Sequence, residues 1–431
     1  MRRIFRSRRT LLFAGVIGAL LAAFVTFVAL NLVQAEKHVE QKIVHRHGVA
    51  NPQFQRELGI LLGPPIRGGN IVRNLENGAE IFPAMLKALR QAERSITFET
   101  YIYWSGEIGR KFAETLADRV RKGVKVHVLI DWVGGDRMDE DLLELMREAG
   151  VELHFFHPLH WYHLSRMNNR THRKLVVVDG RVGFTGGVGI ADPWDGHGDD
   201  PEHWRDSHYR IEGPAVAQMQ AAFADNWLKT TGKVLSGRDY FPPLAPVGEV
   251  RAQVFTSSPT SGSDSMQLMY LMAIASAEHS IDLAAPYFVP DPLSREALLD
   301  ALKRGVQLRI LTSGEHTDYR VVRRASRARW GELLEAGARI YEFKPAMYHA
   351  KMLVVDRNMV SVGSTNFDNR SFRLNSEANL NIYDPAFSAR VTAVFEQDLV
   401  KSREITLADW QQRPWGGRLV EWLAALLSPQ L

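Results

Sequence analysis

Two segments of the chain carry the same ionisable side chains at the same spacing. Both read His-x-Lys-x4-Asp, and their residues are His172, Lys174, Asp179, His349, Lys351 and Asp356. Residues i and i+2 of a strand point to the same face, so the histidine and lysine of each segment should project together. The apolar run after each lysine is typical of a strand buried on both faces. A buried sheet has no structural use for such a pair at a strand end, and two matched pairs therefore favour a functional site.

Two imidazoles and two ammonium groups in one pocket suit displacement at a phosphodiester. One imidazole can attack phosphorus, while the other protonates the leaving oxygen and then deprotonates the incoming hydroxyl. The lysines would offset the charge on the non-bridging oxygens. The chain has no cysteine, which excludes disulfides and thiol nucleophiles. A zinc site would need three or four converging ligands, so we expect neither a metal nor a cofactor.

The two segments belong to a longer internal repeat. The two motif histidines are 177 positions apart (349 − 172 = 177), and so are the lysines and the aspartates. Three upstream blocks recur in the same order, which predicts a duplicated domain and not a short-period solenoid. We place the first domain at residues 69–233, a linker at 234–249 and the second domain at 250–410. A pseudo-two-fold relation between the domains would bring both motifs to one interface.

Each half alternates between strand and helix patterns. Runs rich in β-branched and aromatic residues, such as 96–103 and 124–130, are separated by helical patterns at 108–122 and 139–149. Such alternation predicts an α/β fold in which each domain has a mostly parallel sheet flanked by helices.

The N-terminus has the pattern of a membrane anchor. Residues 11–30 form an uncharged apolar run of 20 residues, which as a helix would reach about 30 Å. Five arginines precede the run, which predicts one transmembrane helix with a cytoplasmic N-terminus. A cleaved secretion signal is the alternative, although the run exceeds the usual length of such signals. Residues 1–35 are thus assigned to a basic tail and anchor, and residues 36–68 to a linker.

Charge argues against a nucleic-acid substrate. The net charge is +4, and without the five N-terminal arginines it is 4 − 5 = −1, so the body is nearly neutral. An acid-rich loop at 191–203 would repel a nucleic-acid backbone. This loop lacks the ordered ligand spacing of a calcium loop and is interpreted as solvated.

The C-terminal tail, residues 411–431, is apolar apart from a few charges. It suits either a membrane surface or packing on the second domain, and the sequence leaves both open. A cluster of arginines after Thr317 indicates a solvated helix face, but it also suits anionic headgroups.

The paired motifs resemble those of the phospholipase D superfamily. They are followed by Gly186-Gly187 in the first half and by Gly363-Ser364-Thr365-Asn366 in the second. The resemblance covers nearly the whole chain and is greatest to the bacterial cardiolipin synthase branch. The segments that carry this finer similarity are 69–89, 99–109 and 203–216.

The resemblance implies a role for each motif residue. His172 would be the nucleophile and His349 the acid and base. The residues expected to hold the phosphate or support the site are Lys174, Lys351, Ser364, Asn366, Asp206 and Glu377. The family uses an acid downstream of each motif to orient the histidine of that motif, which fixes the ring nitrogen that faces the substrate. The motif aspartates end their strands and are interpreted as holding the turns by local hydrogen bonds.

The first half departs from the family at Gly189. The family usually has an asparagine there, and the second half keeps one at Asn366. Phosphate binding is therefore expected to be unequal on the two sides of the site.

The resemblance implies a membrane-anchored phosphatidyltransferase similar to cardiolipin synthase, in a bacterial inner membrane. It would transfer a phosphatidyl group from phosphatidylglycerol to a second lipid hydroxyl through a phosphohistidine. The alternatives are a phospholipase D that hydrolyses phospholipids to phosphatidic acid, and a phosphodiesterase or nuclease of the same superfamily. A degenerate scaffold is disfavoured because both His/Lys pairs are intact. The expected partners are phospholipids and a membrane, with no nucleic acid and no obligate protein partner.

Overall fold

A computed structural model describes residues 13–26, 39–158, 168–259 and 265–426. One large sheet runs through both halves of the protein. In chain order the strands are β1 (Arg67–Glu76), β2 (Ser95–Thr100), β3 (Lys125–Asp131), β4 (Glu152–Phe156), β5 (Arg170–Thr171), β6 (Leu175–Val178), β7 (Val182–Gly186), β8 (Ser207–Glu212), β9 (Val250–Ser257), β10 (Ser280–Ala284), β11 (Phe288–Val289), β12 (Gln307–Ser313), β13 (Arg339–Phe343), β14 (Met352–Val355), β15 (Met359–Gly363), β16 (Phe367–Asp368), β17 (Asn375–Tyr383) and β18 (Ser402–Ile405).

Helices cover the faces of this sheet. Their bounds are Pro52–Leu61, Asn77–Arg90, Glu107–Arg121, Glu140–Glu148, Val216–Thr231, Ser265–Ala275, Pro292–Lys303, Arg320–Arg327, Gly331–Glu335, Asn369–Arg373, Pro385–Val400, Leu407–Gln411 and Trp415–Ala425. Local sequence explains where several begin: Asp291 and Asp384 each accept backbone N–H groups of the first turn, and each is followed by a proline.

The strand order is a mirror image about the centre of the sheet. The path reads β13-β12-β10-β14-β15-β17-β9-β1-β8-β7-β6-β2-β3-β4, with β18 added at one end. The central pair, β9 and β1, is antiparallel, and each step outward meets equivalent strands of the two halves. This symmetry confirms that the chain is a duplication of one α/β domain.

The prediction of a mostly parallel sheet is wrong. Only β2-β3-β4 and β10-β12-β13 are parallel within the long path, and every pair from β2–β6 inward to β9–β1 is antiparallel. The reason is the connection after each motif strand: β6 and β14 return through turns at 179–181 and 356–358. A turn this short joins antiparallel strands, whereas a parallel pair needs a crossover of a dozen residues or more.

The motif strands are buried on both faces, as predicted. In β6, Val176 and Val178 face one core while Leu175 and Val177 face another. The second of these cores contains residues of both halves and joins them, whereas the opposite face has a separate core in each half. At about 1.5–3 kcal/mol for each large apolar side chain, this packing holds the motif strands rigidly in place.

The predicted membrane span lies partly outside the described residues. Residues 13–26 are helical and exposed, whereas residues 1–12 and 27–38 fall outside the description. Among the helices that the structure describes, none combines the length and the apolar character needed to cross a bilayer.

Candidate active site

The histidine and lysine of each motif precede the motif strand. The prediction that these pairs lie on the strands is wrong, because β6 and β14 begin directly after the lysine and the paired residues lie in the segment that enters the sheet. Lys174 Nζ donates to His172 O at 2.9 Å, and Lys351 Nζ donates to His349 O at 2.7 Å. None of the four residues is more than 8% exposed. Each ammonium group is thus held by the backbone carbonyl of its own motif histidine, and Lys351 Nζ also lies 3.1 Å from both ring nitrogens of His349.

Each motif histidine is paired with a carboxylate from the opposite half. His172 Nδ1 lies 2.9 Å from Glu377 Oε1, and His349 Nδ1 lies 2.7 Å from Asp206 Oδ2. The expectation that each acid orients the histidine of its own motif is therefore wrong, because the two pairs are crossed. A carboxylate on Nδ1 leaves Nε2 of each ring as the nitrogen that can face a substrate. Nε2 of His349 also lies 3.1 Å from Lys351 Nζ.

The backbone explains the crossing. β5, which leads into the first motif, pairs in parallel with β17 of the second half, and His172 N donates to Ser376 O at 2.9 Å. The second motif is anchored in the same way, since His349 N donates to Arg205 O at 2.7 Å. The residue that follows each of these acceptors is the paired acid. Interdomain strand pairing therefore places each histidine beside an acid that is remote in sequence.

The electrostatics of the buried groups agree with the crossed pairs, which bring the two motifs to one site. Burial, followed by the charge of Lys351, lowers the pKa of Lys174 to about 7, and burial lowers the pKa of Lys351 to about 8. Burial also lowers the pKa of His172 to about 4 and that of His349 to about 3. The lysine of the other half contributes to each histidine shift. These reciprocal effects are consistent with four basic groups that share one buried site.

The site is almost neutral before substrate binds. Burial alone would raise the pKa of Asp206 and of Glu377, but the paired histidines and the lysines outweigh it, and both pKa values lie below their usual range. At neutral pH the site holds two carboxylates, two neutral imidazoles, a mostly protonated Lys351 and a Lys174 that is about half protonated. An arriving phosphodiester adds one negative charge, which raises the pKa of all four basic groups.

The motif aspartates lie at the far ends of the motif strands from the histidines. Asp179 accepts backbone N–H groups from Glu93, Arg94 and Ser95, and Asp356 accepts the same groups of residues 278–280. Both aspartates have positive φ, 54° and 52°. Their carboxylates cap the beginning of the neighbouring strand, in agreement with the structural interpretation, and do not enter the site.

Ser364 contacts the acid on the His172 side of the site, and Asn366 follows it by two residues. Ser364 Oγ donates to Glu377 Oε2 and accepts from Ala378 N at 3.0 Å. Asn366 is 5% exposed, and its Oδ1 has no hydrogen-bond partner among the described residues. A buried amide oxygen without a hydrogen-bond partner is costly unless a ligand donates to it. Ser364 thus supports the carboxylate, whereas Asn366 remains available to a bound group.

Trp194 takes the place of the missing asparagine in the first half. A Cβ atom added at Gly189 would lie 3.1 Å from the Trp194 ring and 2.9 Å from Ile102 Cβ. Trp194 Nε1 donates to Asp206 Oδ2 at 2.9 Å, and its ring lies edge-on to His349 with the centroids 5.3 Å apart. The acidity of the loop at 191–203 suggested that it is solvated, but the loop is not wholly solvated, because Trp194 is buried. A tryptophan between acidic residues was the signal that sequence reasoning missed.

His172 also has an aromatic neighbour that the sequence did not reveal. The Tyr101 ring lies edge-on to His172 at 5.3 Å, and Lys174 Nζ is 5.7 Å from the centroid of the same ring. Within the residues that the structure describes, no cluster of three or more His, Asp or Glu side chains is placed to hold a metal ion.

Comparisons with known proteins agree with this architecture. The family model described as "Cardiolipin synthase, PLD-like domain" matches residues 85–200 and 270–399. A cardiolipin synthase of Geobacillus sp. (strain WCH70) is 36% identical over 401 residues, which cover 92% of this chain and 79% of the relative. The major cardiolipin synthase of Bacillus subtilis (strain 168) is 34% identical over 365 residues, 84% of this chain and 76% of that relative.

Among solved structures, a phosphatidylserine synthase of Haemophilus influenzae Rd KW20 is similar with a TM-score of 0.69. It covers 88% of this chain and 100% of its own, at 14% identity, which supports the fold alone. The family match is of a different kind, because it includes both motifs and more than half of the chain. Together with the sequence identity over most of the length, it shows that the chain belongs to the cardiolipin synthase family of phospholipase D-like proteins.

Proposed function

We propose that the protein is a phosphatidyltransferase that forms cardiolipin from two molecules of phosphatidylglycerol. The observation that carries this proposal is the pair of buried imidazoles, each oriented by a carboxylate of the opposite half. This arrangement supplies two groups that can work on opposite sides of one phosphorus atom. The family membership indicates the lipid substrate.

In the first step His172 Nε2 attacks the phosphorus of phosphatidylglycerol. A P–N bond forms, the P–O bond to glycerol breaks, and His349 gives its proton to the leaving glycerol oxygen. The pKa of about 4 keeps His172 neutral and nucleophilic at pH 7. The pKa of about 3 is that of His349 in the empty site, and the charge of the bound phosphate raises it so that His349 can carry the proton.

In the second step His349 removes the proton from a hydroxyl of another phosphatidylglycerol. The resulting oxygen attacks phosphorus, the P–N bond breaks, and His172 is released as cardiolipin forms. Each step inverts the configuration at phosphorus, so the whole reaction retains it. Lys174, Lys351 and the amide of Asn366 offset or bind the non-bridging oxygens in both steps.

Burial favours transfer over hydrolysis. The reacting side chains are at most 8% exposed, so water reaches the phosphohistidine only through the path that the lipids use. A lipid acceptor that fills this path excludes water. The hydrolytic alternative needs a site open to solvent while the phosphatidyl group is bound.

The membrane anchor forms a second part of the proposal. The apolar run at residues 11–30 and the five arginines before it support a single-pass segment with the N-terminus in the cytoplasm of a bacterium. Such an anchor would keep the body at the inner membrane that holds its substrates. A reporter enzyme fused before Met1, assayed for activity in the cytoplasm, tests this orientation.

Product analysis tests the proposed function. Purified protein in vesicles of phosphatidylglycerol should release glycerol and cardiolipin in equal amounts, and His172→Ala should release neither. His279→Ala is a matched control, because that histidine is exposed and its side chain lies away from the site. Phosphatidic acid as the main product would instead establish the hydrolase, and equal activity of His172→Ala and wild type would refute the mechanism.

A further inference from the structure

The last described helix, Trp415–Ala425, exposes its large apolar side chains to solvent, whereas a surface helix usually buries them. Its large apolar side chains recur at three- and four-residue intervals and share one face. That face points to solvent, and its side chains are between 43% and 77% exposed: Trp415, Leu419, Trp422, Leu423 and, just after the helix, Leu426. The face that packs on the protein consists of Glu421, Ala424 and Ala425.

Polar contacts fix this orientation. Glu421 forms ion pairs with Arg413 and with Arg327, and Arg327 Nε lies 3.5 Å from Glu421 Oε1. Arg329 Nη2 donates to Ala425 O at 3.5 Å. Rotating the helix to bury its tryptophans would break the Glu421 pairs and leave buried charges without partners. The described part of the tail therefore does pack on the second domain, one of the two expectations, but it does so through Glu421 and two alanines and not through its large apolar side chains.

Exposed arginines neighbour the stripe. The helix Arg320–Arg327, which packs against the C-terminal helix, contains four arginines and no acid. Arg320 and Arg324 are exposed on it, and Arg418 is exposed on the C-terminal helix itself. The acid of the pair, Glu421, is buried. An apolar stripe with cationic neighbours fits a partner that has an apolar interior and an anionic surface.

The helix pair is attached to the wall of the active site. Ala424 packs in one cluster with Val322, Ala325 and Val289. Val289 belongs to β11, which pairs with β16, and β16 begins directly after Asn366. A surface that receives the stripe would therefore lie beside the phosphate-binding side of the site.

We propose that the apolar stripe and its neighbouring arginines form a docking surface that lies in the headgroup layer of an anionic bilayer. A second copy of the chain is a poorer occupant, because a two-fold contact through this surface would bring Arg320, Arg324 and Arg418 of the two copies together. In the bilayer the tryptophans and leucines reach the boundary of the acyl chains while the arginines meet phosphates. The surface would thus present the site to lipids independently of the N-terminal segment.

Site-specific labelling tests the proposal in the full chain. The protein has no cysteine, so Leu419→Cys can carry a single environment-sensitive fluorophore. The His172→Ala background prevents consumption of phosphatidylglycerol, and the readout does not depend on turnover. In phosphatidylglycerol vesicles the emission should shift to the blue and be quenched by bromine on the acyl chains. In phosphatidylcholine vesicles both effects should be at least several-fold smaller.

Matched variants separate docking from general proximity to the membrane. Val234→Cys is exposed to a similar or greater degree and should show neither the shift nor the quenching. Arg418→Glu, added to the labelled protein, should weaken the quenching and leave the Glu421 pairs intact. Equal signals from both labels, equal signals in both kinds of vesicle, or no quenching in either would overturn the proposal. A shift that grows with protein concentration without vesicles would assign the stripe to a second copy instead.

Discussion

The two sides of the site hold their carboxylates with different side chains. On the side of His172, Glu377 accepts a hydrogen bond from the Ser364 hydroxyl. On the side of His349, Asp206 accepts one from the indole of Trp194. The repeat places a glycine, Gly187, where Ser364 stands in the other half (364 − 177 = 187), and a Cβ atom there would collide with Asp206.

The duplication preserved some features of the site and changed others. The charged groups and their crossed pairing are the same in both halves, and so are the aspartates that cap the motif turns. The neighbouring groups have diverged. One side has the amide of Asn366, whose Oδ1 has no partner among the described residues, and the other side has the indole of Trp194. We infer that a phosphodiester meets a polar wall for its non-bridging oxygens and an apolar wall for an organic substituent.

The largest effect is expected at the histidines, and it should differ in kind between the halves. His172→Ala should abolish the phosphohistidine with every donor. His349→Ala should reduce transfer from phosphatidylglycerol about 10²–10⁴-fold, as expected for loss of an acid and base. With an aryl ester of phosphatidic acid, whose leaving group needs no proton, His349→Ala should still form the adduct. Acid-quenched adduct is the measurement, and equal loss in both variants would remove the distinction between the roles.

The next largest effect concerns the crossed acids. Glu377→Gln should fail to hold the tautomer of His172, and Asp206→Asn that of His349, so kcat should fall by about 100-fold or more in each. Adduct formation from the aryl donor distinguishes them: Glu377→Gln should slow it, whereas Asp206→Asn should not.

Asp200→Asn is the matched control for these acids. Asp200 Oδ2 lies 2.7 Å from His203 Nδ1, the same distance as in the Asp206 pair, but this pair is partly exposed. An exposed pair contributes little, so activity should remain near that of wild type. An effect of Glu377→Gln confined to deprotonation of the acceptor would mean that the acids serve their own motifs after all.

The sequence revealed what depends on local rules. The two-residue spacing of His172 and Lys174, the turn at Asp179 and the 177-residue repeat each follow from short-range geometry or self-comparison. The crossing of the acids does not, because it depends on the pairing of β5 with β17, which are about 200 residues apart in sequence. The antiparallel centre of the sheet was missed for a related reason, since helix–strand alternation describes only the outer strands of each half.

A smaller effect should follow from removing the donors that differ between the halves. Trp194→Phe keeps the ring against His349 but removes the N–H donor to Asp206, and Ser364→Ala removes the donor to Glu377. A hydrogen bond to a charged group contributes about 1.5–3 kcal/mol, so each variant should lose about 10- to 100-fold in kcat. Gly189→Asn with Trp194 unchanged should instead lower the melting temperature, because the new side chain has no room beside the Trp194 ring.

Steady-state kinetics and thermal unfolding separate these outcomes. If Trp194→Phe behaves as wild type in both measurements, the indole contributes only by packing. The two halves would then differ only in the volume of the side chains beside their acids. If Gly189→Asn is tolerated without loss of stability, the tryptophan moves aside and the absence of asparagine has another cause.

The smallest effect is expected from the two lysines, as a shift in pH dependence. Only a protonated ammonium group offsets the phosphate, and in the free site burial lowers the pKa of Lys174 to about 7 and that of Lys351 to about 8. Because kcat/KM reports the free protein, it should fall as pH rises through this interval, whereas kcat should fall only at higher pH, where the bound phosphate has raised both pKa values.

Arginine stays protonated over this pH range, so replacing one lysine by arginine removes the titration of that lysine alone. Lys174→Arg should move the alkaline fall of kcat/KM upward by about one pH unit, because the lysine of lower pKa no longer titrates; Lys351→Arg should leave the fall near pH 7. The change of geometry lowers the plateau in both variants, and for this reason the position of the fall, and not its height, is the quantity to measure. Identical profiles in the two variants would show that the lysines share one titration and are equivalent, in which case the asymmetry of the site lies in its neutral groups alone.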